Sequence, residues 1–229
     1  TASCQSEYVG TVKKRETSQA VRYDARLLHW MHNWPVSQTQ VREGVRMGLV
    51  SCYWITGLPA AGKSTLAKSW VRTLQERDVR AVCLDGDELR KGLCRDLGLS
   101  DSDRAENIRR AGEVARLMAD AGLTVVCAFV SPFEADRQKV RALFQPEHFA
   151  EIHLTTSLDE CIRRDPKGLY ARAKAGELTG LTGWDAPYET PRRPEFTFDT
   201  QAKTVEQMVR GLWPAWNGNP SHEATGPAP

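Results

Sequence analysis

The 229-residue chain carries 31 Lys and Arg against 29 Asp and Glu, a net charge of +2, with 41% apolar residues. That is enough chain for one large domain with a full core, and the charge is too balanced for bulk nucleic-acid or polybasic membrane binding. The longest largely apolar stretch, Leu123–Val130, falls far short of the roughly 20 residues a membrane span needs. The first residues do not read as a secretory signal. None of the six cysteines (Cys4, Cys52, Cys83, Cys94, Cys127, Cys161) is spaced two residues from another. Zinc ribbons and thioredoxin-like pairs are therefore excluded, and the expectation is reduced thiols in a cytoplasmic protein.

Residues 1–46 begin polar and basic (Lys13, Lys14, Arg15) and then carry His29, Trp30, His32 and Trp34. They read as a partly helical extension packed on the main domain. Residues 47–213 alternate short β-branched runs with helical patterns. Strands are expected at Val50–Thr56, Ala81–Leu84, Thr124–Val130, Phe149–Thr155 and Phe196–Phe198. After Gly62, Leu66, Trp70 and Leu74 recur at every fourth position, the stripe of a buried helix. Ser100-x-x-Asp103 opens a longer helix as a capping box, and Gly122 ends it. Such alternation predicts an α/β fold with a parallel sheet covered on both faces. The Pro-, Gly- and Ser-rich stretch 214–229 reads as a disordered tail.

The most informative segment is Gly57-Leu58-Pro59-Ala60-Ala61-Gly62-Lys63-Ser64-Thr65, which fits G-x-x-x-x-G-K-[ST] between an apolar strand and an amphipathic helix. Backbone N–H groups of such a loop wrap nucleotide phosphates, and the helix N-terminus adds positive potential. Lys63 is expected on the β- and γ-phosphates, Ser64 on Mg²⁺, and Thr65 near the α-phosphate. The chain is therefore predicted to bind a nucleoside triphosphate. The second strand ends in Asp85-Gly86-Asp87, two carboxylates at the edge where such sheets place ligands. Carboxylates there organise Mg²⁺ or accept a proton from an attacking hydroxyl; the alternative is an acidic turn without function.

On the long helix, Ile108, Ala111, Ala115 and Met118 form the apolar face, and Arg104 and Asn107 continue it one turn earlier, while Arg109 and Arg110 project away. A buried cation and amide need partners. They either pair within the protein or reach into a ligand pocket, and the pocket is the favoured reading.

Five blocks, GLPAAGKST, LDGDELR, RDLGLSDSDRAENIRR, FVSPFEADR and DPKGLYARAKAGELTGLTGWDAPYETP, together resemble the adenylylsulfate kinase (APS kinase) family from about Trp30 to Phe198. The resemblance implies a P-loop NTPase-type three-layer sandwich: a five-stranded parallel sheet, helices on both faces, and a mobile lid over about 165–191. It implies ATP-dependent phosphorylation of the ribose 3′-hydroxyl of adenylyl sulfate, giving PAPS and ADP in sulfate assimilation, and a homodimer. Lys63, Asp85, Asp87 and Ser131 match the family's catalytic positions, Ser131 as a serine assigned to a phosphoserine intermediate. Its bland alternative is a hydroxyl capping the next helix. Asp85 and Ser64 would organise Mg²⁺, and Arg164 would lie along the ATP adenine. Asp87, Arg90, Leu99, Arg104, Asn107, Ser131, Lys167 and Leu181 would surround the sulfonucleotide, while Arg172 and Lys174 read as a solvated helix face.

Leu99 and Leu181 stand where the family usually has the two phenylalanines that sandwich the acceptor's adenine, and Glu88 where it has Asn. Leucine keeps an apolar slot and loses the stacking, which motivates a second hypothesis: a kinase of the same fold acting on another nucleotide or hydroxyl metabolite. Trp184, three residues past Leu181, could supply a ring instead. A third hypothesis, a non-catalytic nucleotide sensor, predicts loss of Lys63, Ser64 or the Asp85/Asp87 pair, and all four are present.

Overall fold

The computed structural model describes residues 50–216, with side chains to 213. The expected 1–46 extension and most of the expected tail lie outside the described residues. In chain order the elements are β1 (Cys52–Gly57), α1 (Lys63–Gln75), β2 (Ala81–Asp85), α2 (Gly86–Lys91), α3 (Asp101–Asp120), β3 (Thr124–Ala128), α4 (Glu134–Arg141), β4 (Phe149–Leu154), α5 (Leu158–Arg164), α6 (Leu169–Lys174), β5 (Phe196–Phe198) and α7 (Val205–Trp216). The strands lie in the order β2-β3-β1-β4-β5, and every pair is parallel.

The period of two along β1 builds both cores. Tyr53 and Ile55 face a cluster with Leu66, Trp70 and Leu74 of α1 and Met208 and Leu212 of α7. Cys52 and Trp54 face the opposite cluster, with Ile108, Ala111 and Ala115 of α3 and Val140 of α4. Both faces of a parallel sheet are thus covered, which is why its strands read as continuous apolar runs. The expected helical stripes supply the covering residues.

Most strands end one or two residues from the expectation, and two altered boundaries have a plain physical cause. β3 stops at Ala128 instead of Val130. Phe129 N still donates to Ile55 O at 3.1 Å, but the chain then turns through Ser131, whose φ of 38° is incompatible with a strand. At the other end α7 runs to Trp216, past the expected limit at 213. Its stripe packs on α1, with Trp213 edge-on to Trp70 at 4.9 Å, and burial of that face outweighs the helix-breaking tendency of Pro214.

The start of α3 also differs in detail. Ser100 Oγ accepts from Asp103 N at 3.2 Å as a cap should, but the Asp103 carboxylate takes the Ser100 hydroxyl proton at 2.7 Å. Aspartate is one carbon shorter than the glutamate of a reciprocal capping box, and it meets the hydroxyl first. Gly122, with φ of 80°, follows the last turn of α3 as expected.

Candidate active site

The loops leaving the carboxyl ends of β1, β2 and β3 surround one cavity of about 740 Å³. After β1 the chain enters α1 through Gly62, whose φ of 100° suits only glycine. Ala60 also holds a positive φ, 63°, which costs a residue with a Cβ about 1–2 kcal/mol. Lys63 folds back over this loop, and its Nζ donates to Gly57 O at 2.9 Å and Leu58 O at 2.7 Å. Burial pushes its amine down to about 8. Pro59, Ala60, Gly62, Lys63, Ser64 and Thr65 line the cavity. Gly57, Leu58 and Ala61 lie behind it: Leu58 packs on Gly183, and Ala61 is buried with its carbonyl accepting from Thr156 at 3.2 Å and Thr200 at 3.3 Å.

Ser64 Oγ donates to Asp85 Oδ2 at 2.5 Å, and Asp85 Oδ1 accepts from Asp87 N at 2.9 Å, capping α2. A hydroxyl and a carboxylate in contact beside a phosphate loop are the hard oxygen donors that suit Mg²⁺, which keeps waters and takes its remaining ligands from phosphates. Asp87 is exposed, and its carboxylate pairs with the Lys167 ammonium from across the cavity mouth.

On the opposite wall the alternatives for the α3 stripe divide. Asn107 is buried, and its Oδ1 has no hydrogen-bond partner where it lines the cavity, the signature of a group awaiting a ligand. Arg104 lines the same cavity but is satisfied within the protein. Its Nη1 donates to Thr182 Oγ1 at 2.8 Å, its Nε to Leu99 O at 2.9 Å, and its Nη2 to Gly180 O. Arg90 donates to Gly98 O at 2.9 Å. Arg109 and Arg110 face away and pair with Glu106, Arg110 also with Asp96.

Ser131 lines the cavity at 2% exposure, and its Oγ accepts from Trp54 Nε1 at 3.1 Å. It does not cap α4. That helix begins after Phe133 without a local side-chain cap, and its first N–H, on Glu134, donates to Glu189 Oε2 at 2.7 Å. The bland alternative for Ser131 is therefore replaced by a buried contact with the sheet.

Arg164 is held flat by Glu160 at 2.7 Å, Thr200 Oγ1 at 2.7 Å and Thr200 O at 3.1 Å. In the following segment, the Asp165 carboxylate accepts from Leu169 N and Ala171 N at 2.8 and 2.9 Å, fixing the start of α6. Asp185 does the same for Gly180 N and Leu181 N, at 2.7 and 2.6 Å. Leu99 and Leu181 both line the cavity but differ in setting: Leu99 is 43% exposed, whereas Leu181 is 6% exposed and part of the core. Trp184, 44% exposed, is not among the cavity's lining residues, so no ring replaces the missing pair from there. Arg172 is exposed, as expected of a solvated helix face, and also borders the cavity, while Tyr170 and Ala173 form the buried face of α6. Thr182 and Thr200, which seat the two arginines, carried no signal in spacing or composition.

With this geometry in place, comparison with known proteins is decisive. A family model described as adenylylsulphate kinase matches residues 49–199. The chain belongs to the adenylylsulphate kinase family. The adenylyl-sulfate kinase of Pseudomonas entomophila is 52% identical over 160 residues, 70% of this chain and 77% of that protein. The bifunctional enzyme NodQ of Azospirillum brasilense is 53% identical over 156 residues, 68% of this chain but 25% of NodQ. Among solved structures, the Mycobacterium tuberculosis APS kinase CysC in complex with AMPPNP and APS has a TM-score of 0.69 at 40% identity, covering 72% of this chain and 96% of that one. The P-loop fold and kinase activity expected from the sequence are those of the family, and the sensor hypothesis is set aside. No helix among the described residues is long and apolar enough to cross a membrane.

Proposed function

We propose that the chain transfers the γ-phosphoryl group of ATP to the ribose 3′-hydroxyl of adenylyl sulfate, releasing ADP and PAPS. The observation that carries this is one cavity in which the phosphate loop and the Asp85/Asp87 pair face Arg90, Arg104 and the unpartnered Asn107 amide oxygen. ATP enters on the Lys63–Ser64 side, its adenine along the flat Arg164 guanidinium. The sulfonucleotide occupies the α3 side between Leu99 and Leu181.

In the transfer, the 3′-oxygen forms a bond to the γ-phosphorus as the bond to the β-phosphate bridging oxygen breaks, and ADP leaves with that electron pair. The hydroxyl proton passes to Asp87, whose present partner, Lys167, moves to the transferring phosphates. Lys63 exchanges its loop carbonyls for phosphate oxygens. Ser64 and Asp85 would hold Mg²⁺, which would supply charge neutralisation on the phosphates. Ser131 shapes the floor of the cavity: buried and bonded to Trp54, its oxygen is poorly placed to accept a phosphoryl group, and direct in-line transfer needs only positioning and charge neutralisation.

The replacement of both family phenylalanines favours a second reading, a different acceptor base or hydroxyl metabolite. ATP turnover with adenylyl sulfate against a panel of other nucleotides and hydroxyl metabolites decides between the two. Product phosphorylated at the 3′ position is expected from adenylyl sulfate; turnover confined to another acceptor overturns the first reading. The expected cytoplasmic homodimer rests on family resemblance. A hexameric APS kinase from Thiobacillus denitrificans, TM-score 0.53 at 30% identity, covers 72% of this chain and 28% of its own, and sedimentation decides which assembly this chain adopts.

A further inference from the structure

Behind Ser131 lies a buried ionic group that the transfer itself does not use. Arg137 on α4 and Glu151 on β4 are each 1% exposed, and their charges face each other at 2.8 Å. Arg137 also donates to the backbone of two separate segments and, through Nη2, to the Glu134 carboxylate at 2.5 Å. Nη1 donates to Ser131 O and Nη2 to Glu189 O, both at 2.7 Å. Glu189 meets the same corner by two more routes: its N–H donates to Pro132 O at 2.8 Å, and its carboxylate accepts from Glu134 N at 2.7 Å. One residue is thus fixed through N–H, C=O and side chain to the three-residue turn that carries Ser131 and to the start of α4.

Glu189 closes the segment that opens at Asp165. Between them lie Lys167, Leu181 and Thr182, the residues that face Asp87, the cavity and Arg104. A chain segment presented to a ligand is placed by its two ends. At one end Asp165 holds α6 by two backbone bonds. At the other, the Arg137 fork reaches the Glu189 carbonyl, flanked by Glu134 and faced by Glu151. Burying an arginine is costly unless it is paired and hydrogen-bonded, and here Nε faces Glu151 as an ion pair while Nη1 and Nη2 join the Ser131 turn to the end of the 165–189 segment.

We propose that Glu189 and Arg137 are positioning residues for the acceptor nucleotide: together they lock the closing end of the 165–189 segment to the Ser131 turn, so that Leu181 and Thr182 sit at a fixed distance from the α3 wall. The inference rests on the reading that adenylyl sulfate is the acceptor. Neither residue lines the cavity. ATP, held by the phosphate loop and by Arg164 on its Thr200 seat, is placed by other contacts.

The test is steady-state kinetics on the full chain with ATP and adenylyl sulfate, run beside thermal melts. Glu189 is exposed, so Glu189→Ala removes the carboxylate arm without opening the buried pair. It is expected to raise KM for adenylyl sulfate about tenfold, the equivalent of about 1.4 kcal/mol for one charge-assisted hydrogen bond. KM for ATP should stay within about twofold, since ATP does not depend on this arm, and Tm within about 2 °C. Glu189→Gln keeps an acceptor oxygen for Glu134 N and should restore KM for adenylyl sulfate to near wild type. Arg137→Lys keeps the charge over Glu151 but loses the fork, and should show the same selective rise. If Arg137→Lys does not fold, the two Glu189 variants still decide. An unmoved KM in Glu189→Ala, or a loss spread equally over both substrates together with Tm, overturns the inference. Wild-type chain that phosphorylates no adenylyl sulfate overturns the assigned acceptor, and the inference with it.

Discussion

Single residues in the cavity have consequences that their neighbours set. Lys63 is held at about 8 mainly because it is buried, and phosphate oxygens arriving beside it favour the charged amine. ATP binding is therefore expected to take up a proton between about pH 8 and 10, whereas Lys63→Met should bind without that uptake. Calorimetry in buffers of different ionisation enthalpy measures it. Equal proton counts in the two proteins would place the charge elsewhere. The same substitution should reduce kcat by more than about tenfold while leaving the fold intact, because a P-loop lysine acts on developing charge. The two leucines respond differently from one another. Leu99 is exposed at the cavity, so Leu99→Phe gains a ring face at little cost and should lower KM for adenylyl sulfate by about two- to twelvefold. Leu181 is packed in the core, so Leu181→Phe should cost about 1–3 kcal/mol of stability before any stacking is felt. Melting curves and KM values for the two single variants separate these effects. A lower KM for Leu181→Phe and none for Leu99→Phe would reverse the assignment.

Among elements, α3 depends most on its first turn. Its apolar face covers one side of the sheet while its N-terminal end carries Arg104 and Asn107 to the cavity, so fraying there acts on both packing and site. Ser100→Ala removes the hydroxyl that accepts from Asp103 N and should cost about 1 kcal/mol. Chemical denaturation checks this, and a change below about 0.3 kcal/mol would show that the Ser100 hydroxyl does not stabilise the turn. This helix was legible in the sequence because its start, its stripe and its glycine stop are local signals. So were β1, whose β-branched and aromatic run meets the phosphate loop, and the carboxylate pair after β2. What could not be read were features made by distant partners. The indole that bonds Ser131 is 77 residues away in sequence, and the carboxylate that caps α4 is 55 away. Periodicity places Arg104 on the correct face, but it cannot say that Gly180 and Thr182 would occupy its donors.

At the scale of the whole molecule, the strand order divides labour. The central β1 delivers the phosphate loop, β2 and β3 on one side deliver the acidic pair and Ser131, and β4 and β5 on the other lead to Arg164 and Thr200. Donor and acceptor groups therefore approach from opposite flanks of one loop. The β4 side has a pH signature of its own. His153 is buried against the Tyr188 ring, centroids 5.9 Å apart, near the Arg137 charge, and burial first, then that charge, push its imidazole down to about 4. The unfolded chain takes up that proton near pH 6.5 and the folded chain does not, so stability should fall as pH drops from about 6.5 to 4. Glu106 and Glu160, held at about 2 by hydrogen bonds from arginines, act in a lower window, below about pH 4.5. Urea titrations across pH 4–7 should show a shallower decline for His153→Gln than for wild type, and parallel slopes would remove His153 as the cause.

Trp184 gives the 165–189 segment an optical label. Trp54 and Trp70 are buried in the two cores, whereas this indole stands in solvent between the Leu181 turn and the Glu189 end. Light emitted from Trp184 is thus open to a dissolved quencher such as iodide, and the emission of the core indoles is shielded. The difference between wild type and Trp184→Phe isolates the contribution of that one ring. The arrival of a nucleotide beneath the segment then becomes something that can be timed in a stopped-flow fluorimeter without attaching a dye.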